Sequence, residues 1–194
     1  MHYQKRHSPR KVIPMQQEPF FSVLVEGTPV AKGRPRVTKT GQVYTPAPTR
    51  LYEIEIKLAT RAVMKGNKPT EKPVVVHVAA IFEPAASLSK KMKKELIEGE
   101  VHAIKPDLDN LIKAALDGIS GETMAILDDK QIVEICAFKR YGDRACLMID
   151  VFEIKSEDES EDEDEDEKPL DRFTTRWRSW RKSWQHEDIP MAPV

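Results

Sequence analysis

No run of about eighteen apolar residues occurs in the 194-residue chain, so a membrane-spanning helix is not expected. The first seventeen residues are polar and basic and lack the apolar centre of a secretory signal. Cysteine is nearly absent. Cys136 and Cys146 are too few for a disulfide framework. They fall in what read as neighbouring strands and could face each other, but two reduced cytosolic thiols are the expectation. At 40% hydrophobic residues the chain can bury one ordinary core, and a second complete domain is not expected.

Charge of one sign is scarce only on average. The formal net charge is −1, yet ten acids fall within residues 156–167, which leaves +9 on everything else. Residues 168–194 account for +3 of that and residues 1–155 for +6. A basic body with an acidic run behind it favours a polyanionic partner, although basic surfaces also occur on proteins that never meet nucleic acid.

The chain divides accordingly. Residues 1–18 read as a flexible basic arm carrying Lys5, Arg6, Arg10 and Lys11, and residues 19–155 as the folded domain. The run 156–167 cannot bury apolar surface and reads as a disordered linker. Residues 168–194 form a basic segment with Trp177, Trp180 and Trp184 at i, i+3 and i+7, a helical aromatic stripe suited to docking on a partner protein or on its own domain. Nucleic acid or a membrane surface is the lesser alternative for that stripe.

Within the domain, Phe20–Val25 reads as a first strand ended by Gly27. Ala31–Gly41 is a cationic loop whose Lys32, Arg34 and Arg36 suit phosphate oxygens, against the plainer reading of a solvated loop. Thr49 is positioned to cap a helix through Met64, with Leu51, Ile54, Leu58 and Ala62 facing inward and Arg50, Lys57 and Arg61 wet. Pro73–Phe82 is continuously apolar and β-branched, the pattern of a strand inside the sheet, and His77 within it reads as a core or face histidine. Ser89 caps a short helix from Lys90 to Glu98, stopped by Gly99. Lys90, Lys91, Lys93 and Lys94 crowd one turn of it, where a nucleic-acid backbone would relieve their repulsion, or where they merely keep the helix soluble.

The densest chemistry lies at Lys105–Lys113. Pro106 disfavours helix at Lys105, so the chain is expected to arrive extended, with Asp107 and Asp109 on one side. Asp109 would cap a helix from about Leu111 through Leu116, Lys113 would share its face, and Asp117 would pair with Lys113. Asp128 and Asp129 follow, and in a strand only one of them can point into a given site. Strands over Ile132–Lys139 and Ala145–Ile154, joined by a hairpin turn at Tyr141–Asp143, would close a small mixed α/β (α+β) sheet with packed helices. Three carboxylates beside a lysine are the inventory for hydrolysing a phosphodiester with Mg²⁺, which prefers oxygen ligands and keeps several waters. By spacing alone that signal is modest, since Asp pairs at i, i+2 are common.

Asp107-Leu108-Asp109-Asn110-Leu111-Ile112-Lys113, with Leu127-Asp128-Asp129-Lys130-Gln131 after it, closely resembles the signature of the RusA-type Holliday junction resolvases. Lys32-Gly33-Arg34-Pro35-Arg36 and Tyr44-Thr45-Pro46 resemble the phage-borne branch of that family, and the likeness runs from about Phe20 to Ile154. It implies the family's small mixed α/β fold and a homodimeric endonuclease that cuts four-way DNA junctions by paired nicks. Mg²⁺ would be the cofactor, with Mn²⁺ as a substitute. On the matching positions, Asp107, Asp109 and Asp129 would hold the metal, Lys113 would be the catalytic lysine, and Asp128 would be an outward or supporting neighbour. Such an enzyme would work in recombination and repair in the cytoplasm of a bacterium or a phage-infected host cell. A non-catalytic branched-DNA-binding module of the same fold is the alternative, and a phosphate-binding scaffold for other proteins a more distant one. The acidic run and the tryptophan segment stand outside the family pattern.

Overall fold

The computed structural model describes residues 18–99 and 105–154. The readings of residues 1–17, the acidic run and the tryptophan segment lie outside the described residues. Four strands form the main sheet: β1 (Phe21–Glu26), β4 (Val74–Phe82), β5 (Ile132–Tyr141) and β6 (Cys146–Glu153). Their order across the sheet is β1-β6-β4-β5, with β5 parallel to β4 and the other pairs antiparallel. Two residue pairs, β2 (Arg36–Val37) against β3 (Val43–Tyr44), make a separate ribbon.

Each strand's place follows from its pattern. In β1 burial alternates, with Phe21, Val23 and Val25 inward, which suits an edge strand with one covered face. β4 and β6 are apolar almost throughout and occupy the middle, where both faces are shielded. His77 is half-buried in β4, its ring 4.8 Å from that of Phe152, the face position expected of it. β5 shifts register between Val74 and Val75 of its partner, so Ile135, Ala137 and Tyr141 share a face while Val133 is the extra residue.

Three helices complete the fold: α1 (Ala47–Met64), α2 (Lys90–Glu98) and α3 (Leu108–Ile119). Helices α1 and α3 lie against one another, and Gly118 makes this approach possible. A Cβ at position 118 would stand 2.2 Å from Cγ2 of Ile56. The core gathers Tyr52, Ile56 and Met64 of α1, Leu111, Ala115 and Ile119 of α3, and one face of the sheet. Burying each large aliphatic side chain there contributes about 1.5–3 kcal/mol.

Several expectations are corrected. α1 starts at Ala47 rather than after Thr49, because Pro48 sits in its first turn, where a proline costs no hydrogen bond. Thr49 is buried within the helix. The inward stripe of α1 is Thr49, Tyr52, Ile56, Thr60 and Met64, whereas Leu51, Ile54 and Leu58 are exposed at 63%, 47% and 59%. The threonines are tolerated inside because their hydroxyls are engaged: Thr60 Oγ1 donates to the Ile56 carbonyl at 2.8 Å. Nor do β5 and β6 form a hairpin. They flank β4, and the chain between them passes over the end of β4, where the Gly142 N–H donates to the Phe82 carbonyl at 2.9 Å. A Cβ on Gly142 would lie 2.5 Å from Ile81 Cγ2, so the crossing needs glycine. Cys136 and Cys146 are therefore a strand apart and both are free thiols.

Candidate active site

Helix α3 carries the first part of the site. Its N-cap is Asp107, in extended conformation, and Asp109 lies in the first turn. The helix thus begins before the position expected from an Asp109 cap, and the two aspartates do not sit along one extended run. Asp107, placed directly after Pro106, is extended as an N-cap residue must be, so helical geometry starts at Leu108. The Asp107 side chain makes no capping hydrogen bond. Both carboxylates are exposed. Lys113, one turn on, puts its Nζ 3.3 Å from Asp109 Oδ2, on a common face as the spacing implied. Behind them Lys139 of β5 donates from Nζ to the Pro106 carbonyl at 2.7 Å, pinning the chain where it enters the helix.

The second acidic pair resolves into two roles. Asp128 caps a single 3-10 turn, Asp129–Gln131. Its side chain accepts from the Lys130 N–H at 3.0 Å and pairs with Lys130 Nζ at 3.2 Å, while the Gln131 side chain accepts from the Asp128 N–H at 2.9 Å. The backbone N–H and then the ammonium of Lys130 hold the Asp128 carboxyl below the usual carboxylate range. Gln131 also donates to the carbonyls of Thr70 (2.8 Å) and Lys72 (3.0 Å), fastening this turn to the segment ahead of β4. Asp129 begins the turn with its side chain exposed.

The cationic loop meets α3 directly. The Lys32 N–H donates to the Asn110 carbonyl at 2.9 Å, and the Gly33 N–H donates to Thr49 Oγ1 at 3.0 Å. Lys32 Nζ forms ion pairs with Asp117 and, at 3.4 Å, with Glu53. Its hydrogen bond to Asp117 raises the Lys32 pKa against the opposing effect of burial. Asp117 is thereby paired with Lys32 rather than with Lys113. Arg34 and Arg36 are exposed beyond this anchor. On α2, capped by Ser89 Oγ accepting from the Met92 N–H, Lys91 and Lys94 reach Glu95 and Glu98 at 3.9 and 3.6 Å. Lys90 is exposed and Lys93 half-buried.

Sequence reasoning gave no role to Glu53, Asn110, Gln131 or Lys139. Lys32 and Asp117 are 85 positions apart, and no local spacing announces their pairing. Among the described residues, no three His, Cys, Asp or Glu side chains gather closely enough to hold a metal ion. The donors at Asp107, Asp109 and Asp129 are carboxylate oxygens, which fit a hard divalent cation by chemistry.

Exposed carboxylates and a lysine thus lie at one helix start, beside a cationic loop anchored to α1 and α3, and such groups suit the chemistry of phosphate esters. The model of the family described as endodeoxyribonuclease RusA matches residues 26–151, which contain all of these elements. The chain belongs to the RusA endodeoxyribonuclease family, and its activity is that of a Holliday junction-resolving endonuclease. No curated protein matches the chain significantly. No described helix is long and apolar enough to cross a membrane.

Proposed function

We propose that the chain resolves four-way DNA junctions by paired phosphodiester hydrolysis that depends on Mg²⁺, with Asp107, Asp109 and Asp129 as ligands and Lys113 as the catalytic lysine. The observation that carries this reading is the exposed Asp109–Lys113 pair in the first turns of α3, inside the family match and beside the anchored arginine loop. Held by these carboxylates, Mg²⁺, or Mn²⁺ in its place, would supply a water of lowered pKa and would offset charge on the phosphoryl group. Lys113 places an ammonium against the charge that grows on the phosphoryl oxygens as the bond breaks. Asp107 and Asp109 present oxygen donors unencumbered by backbone caps, and Asp128, occupied with Lys130, leaves Asp129 as the donor from the second turn. Arg34, Arg36 and the lysines of α2 hold the DNA backbone, whereas Lys32 acts chiefly by fixing the loop to α3.

A homodimer suits a near-symmetric junction, because two sites related by a two-fold axis make two nicks. Support comes from β5, the last strand of the sheet among the described residues, whose Val133 and Ile135 are 61% and 41% exposed. Apolar side chains exposed on such a strand would gain from cover by a second copy, and antiparallel pairing across a two-fold axis is self-complementary. In this reading the enzyme serves recombination and repair in the cytoplasm of a bacterium or phage-infected cell, and the tryptophan segment is left for a protein partner.

Incubation of a synthetic four-way junction with the protein, in Mg²⁺ or in EDTA, tests the proposal. Symmetric nicking is expected only in Mg²⁺. Asp109→Asn should lower its rate by about a hundredfold or more while leaving thermal unfolding unchanged, since this side chain is exposed. Tight junction binding without cleavage under any divalent metal would instead establish the non-catalytic accessory module.

A further inference from the structure

The β2–β3 ribbon stands apart from the core, and none of its four residues is buried. Its two cross-strand pairs set different chemistry on its two faces. Val37 lies opposite Val43, and Arg36 opposite Tyr44. Cross-strand partners share a face, so one side presents two valines and the other an arginine with a tyrosine. Val37, Val43 and Tyr44 are 66%, 68% and 46% exposed.

The polar turn that joins the two strands, residues 38–42, is closed by its own hydrogen bonds. The Thr38 N–H donates to the Gln42 carbonyl at 2.8 Å, the Gly41 N–H to the Thr38 carbonyl at 3.0 Å, and the Gln42 N–H to Thr38 Oγ1 at 3.1 Å. Gly41 takes φ +82°, which closes the turn. The root is fixed as firmly. Lys32 is tied to Asn110, Asp117 and Glu53, and Gly33 lies so close to Thr49 that a Cβ would stand 2.9 Å from its Oγ1. The root of the ribbon is therefore fixed to both α1 and α3, and its tie to Asn110 reaches the turn of α3 that carries Asp109.

Charge identifies the occupant. No acid occurs between Glu26 and Glu53, while Lys32, Arg34, Arg36, Lys39 and Arg50 do. Arg34, Arg36 and Lys39 are exposed along the ribbon or at its base. Apolar side chains within a wholly cationic border fit nucleic acid, whose phosphates meet the arginines and whose bases meet the apolar groups. Linear duplex offers stacked, paired bases; a branch point offers bases whose stacking is interrupted. Apolar wedges enter base steps where unstacking costs least, and an aromatic ring gives an exposed base a stacking surface.

We propose that the β2–β3 ribbon enters the branch point of the DNA, Tyr44 stacking on a base at one face of the ribbon and Val37 and Val43 packing against bases at the other. The ribbon thereby selects branched over linear DNA and sets the junction against the Asp109–Lys113 face. This rests on the junction-resolving reading above and names the element that recognises the substrate.

The test uses the full chain, a four-way junction carrying 2-aminopurine at its centre, and a linear duplex of equal length, with binding followed in EDTA and cleavage in Mg²⁺. Wild type should raise the 2-aminopurine signal at the junction. A Val37→Ser/Val43→Ser/Tyr44→Ala variant should lose that rise and about tenfold of its junction affinity. Its duplex affinity should stay within about twofold and its circular dichroism should be native. Should the triple variant misfold, Tyr44→Leu alone gives the same readout, since it keeps bulk while removing the stacking ring. A folded variant that keeps wild-type junction preference and signal, while wild type binds and cuts junctions, overturns the ribbon proposal alone. An equal loss on junction and duplex also overturns it, marking a contact with backbone only. If wild type neither binds nor cuts junctions, the functional reading itself falls, and the ribbon proposal with it.

Discussion

Helix α1 sends Thr49, Tyr52, Ile56, Thr60 and Met64 into the core and leaves Leu51, Ile54 and Leu58 in solvent. Its neighbour α3 buries Leu111, Ala114, Ala115, Gly118 and Ile119 and gives solvent Asp109 and Lys113. In α3 the hydrophobic stripe and the buried stripe coincide. In α1 they do not, and the more polar stripe is the inner one. The difference shows that apolar content alone does not choose which face of a helix is buried. Fit to the facing element decides, provided each buried hydroxyl is satisfied, as Thr60 is by the Ile56 carbonyl and Thr49 by the Gly33 N–H. The consequence for function lies on α3. Because its inner face supplies packing unaided, its outer face is free to carry charged groups.

The sharpest way to break this comparison is to truncate both stripes of α1. Ile56→Ala should cost about 4 kcal/mol, the loss of a fully buried β-branched side chain together with the cavity it leaves. Leu58→Ala, only two positions away, should change stability by no more than about 0.5 kcal/mol. Denaturant titration of the two variants reads the difference directly, and equal losses would mean that the two stripes are packed alike.

The contact between the helices comes next. Gly118→Ala would set a Cβ 2.2 Å from Ile56 Cγ2 and 2.6 Å from Ile56 Cβ. Neither atom is the end of a flexible chain, so the helices must part, at about 3 kcal/mol. In the Gly118→Ala/Ile56→Ala double variant the added methyl would occupy space that Ile56 has vacated. The combined loss should then fall clearly short of the sum of the single losses. Additivity would show that the two positions do not touch.

These particulars bear on how far the sequence could be read. The first strand ended by Gly27, the double-sided β4, the Ser89 cap and the Asp109–Lys113 face are local patterns, and each is found where the sequence places it. The errors concern relations that local patterns do not encode. Tyr141–Asp143 resembles a hairpin turn, but β4 already occupies the place between the strands it joins. Asp117 has a lysine one turn away on its own helix, yet its partner is Lys32, reached only because α1 and α3 pack with the cationic loop beside them. Asp107 and Asp109 are chemically equivalent as N-cap candidates for α3, and only the backbone, extended at Asp107 and helical from Leu108, tells them apart. Asp128 and Asp129 are equally alike in sequence, and only the 3-10 turn separates a capping carboxylate from an exposed one.

The smallest expected effect probes the inner stripe of α1 at its most polar point. The Tyr52 hydroxyl is buried, and among the described residues it meets no hydrogen-bond partner. Burial first, and the negative charge of Glu55 second, push its pKa well above the ordinary tyrosine value of 10.0. Removing a buried hydroxyl without a partner forfeits no bond, so Tyr52→Phe should leave stability within about 0.5 kcal/mol of wild type at pH 7, or slightly raise it. Alkaline pH separates the two proteins. The folded pKa is the higher one, so below pH 10 both states hold the proton and Tyr52 gives stability no pH dependence. Above pH 10 the unfolded chain ionises while the folded one does not, and stability falls. The Cys146 thiol, pushed up to about 12 by burial, adds a loss of the same sign that begins near its ordinary value of 9.0. Tyr52→Phe keeps the cysteine contribution and lacks the tyrosine one, so its stability should decline less steeply between pH 10 and 11. Identical alkaline slopes for the two proteins would place Tyr52 in solvent, and with it the stripe that Ile56 shares.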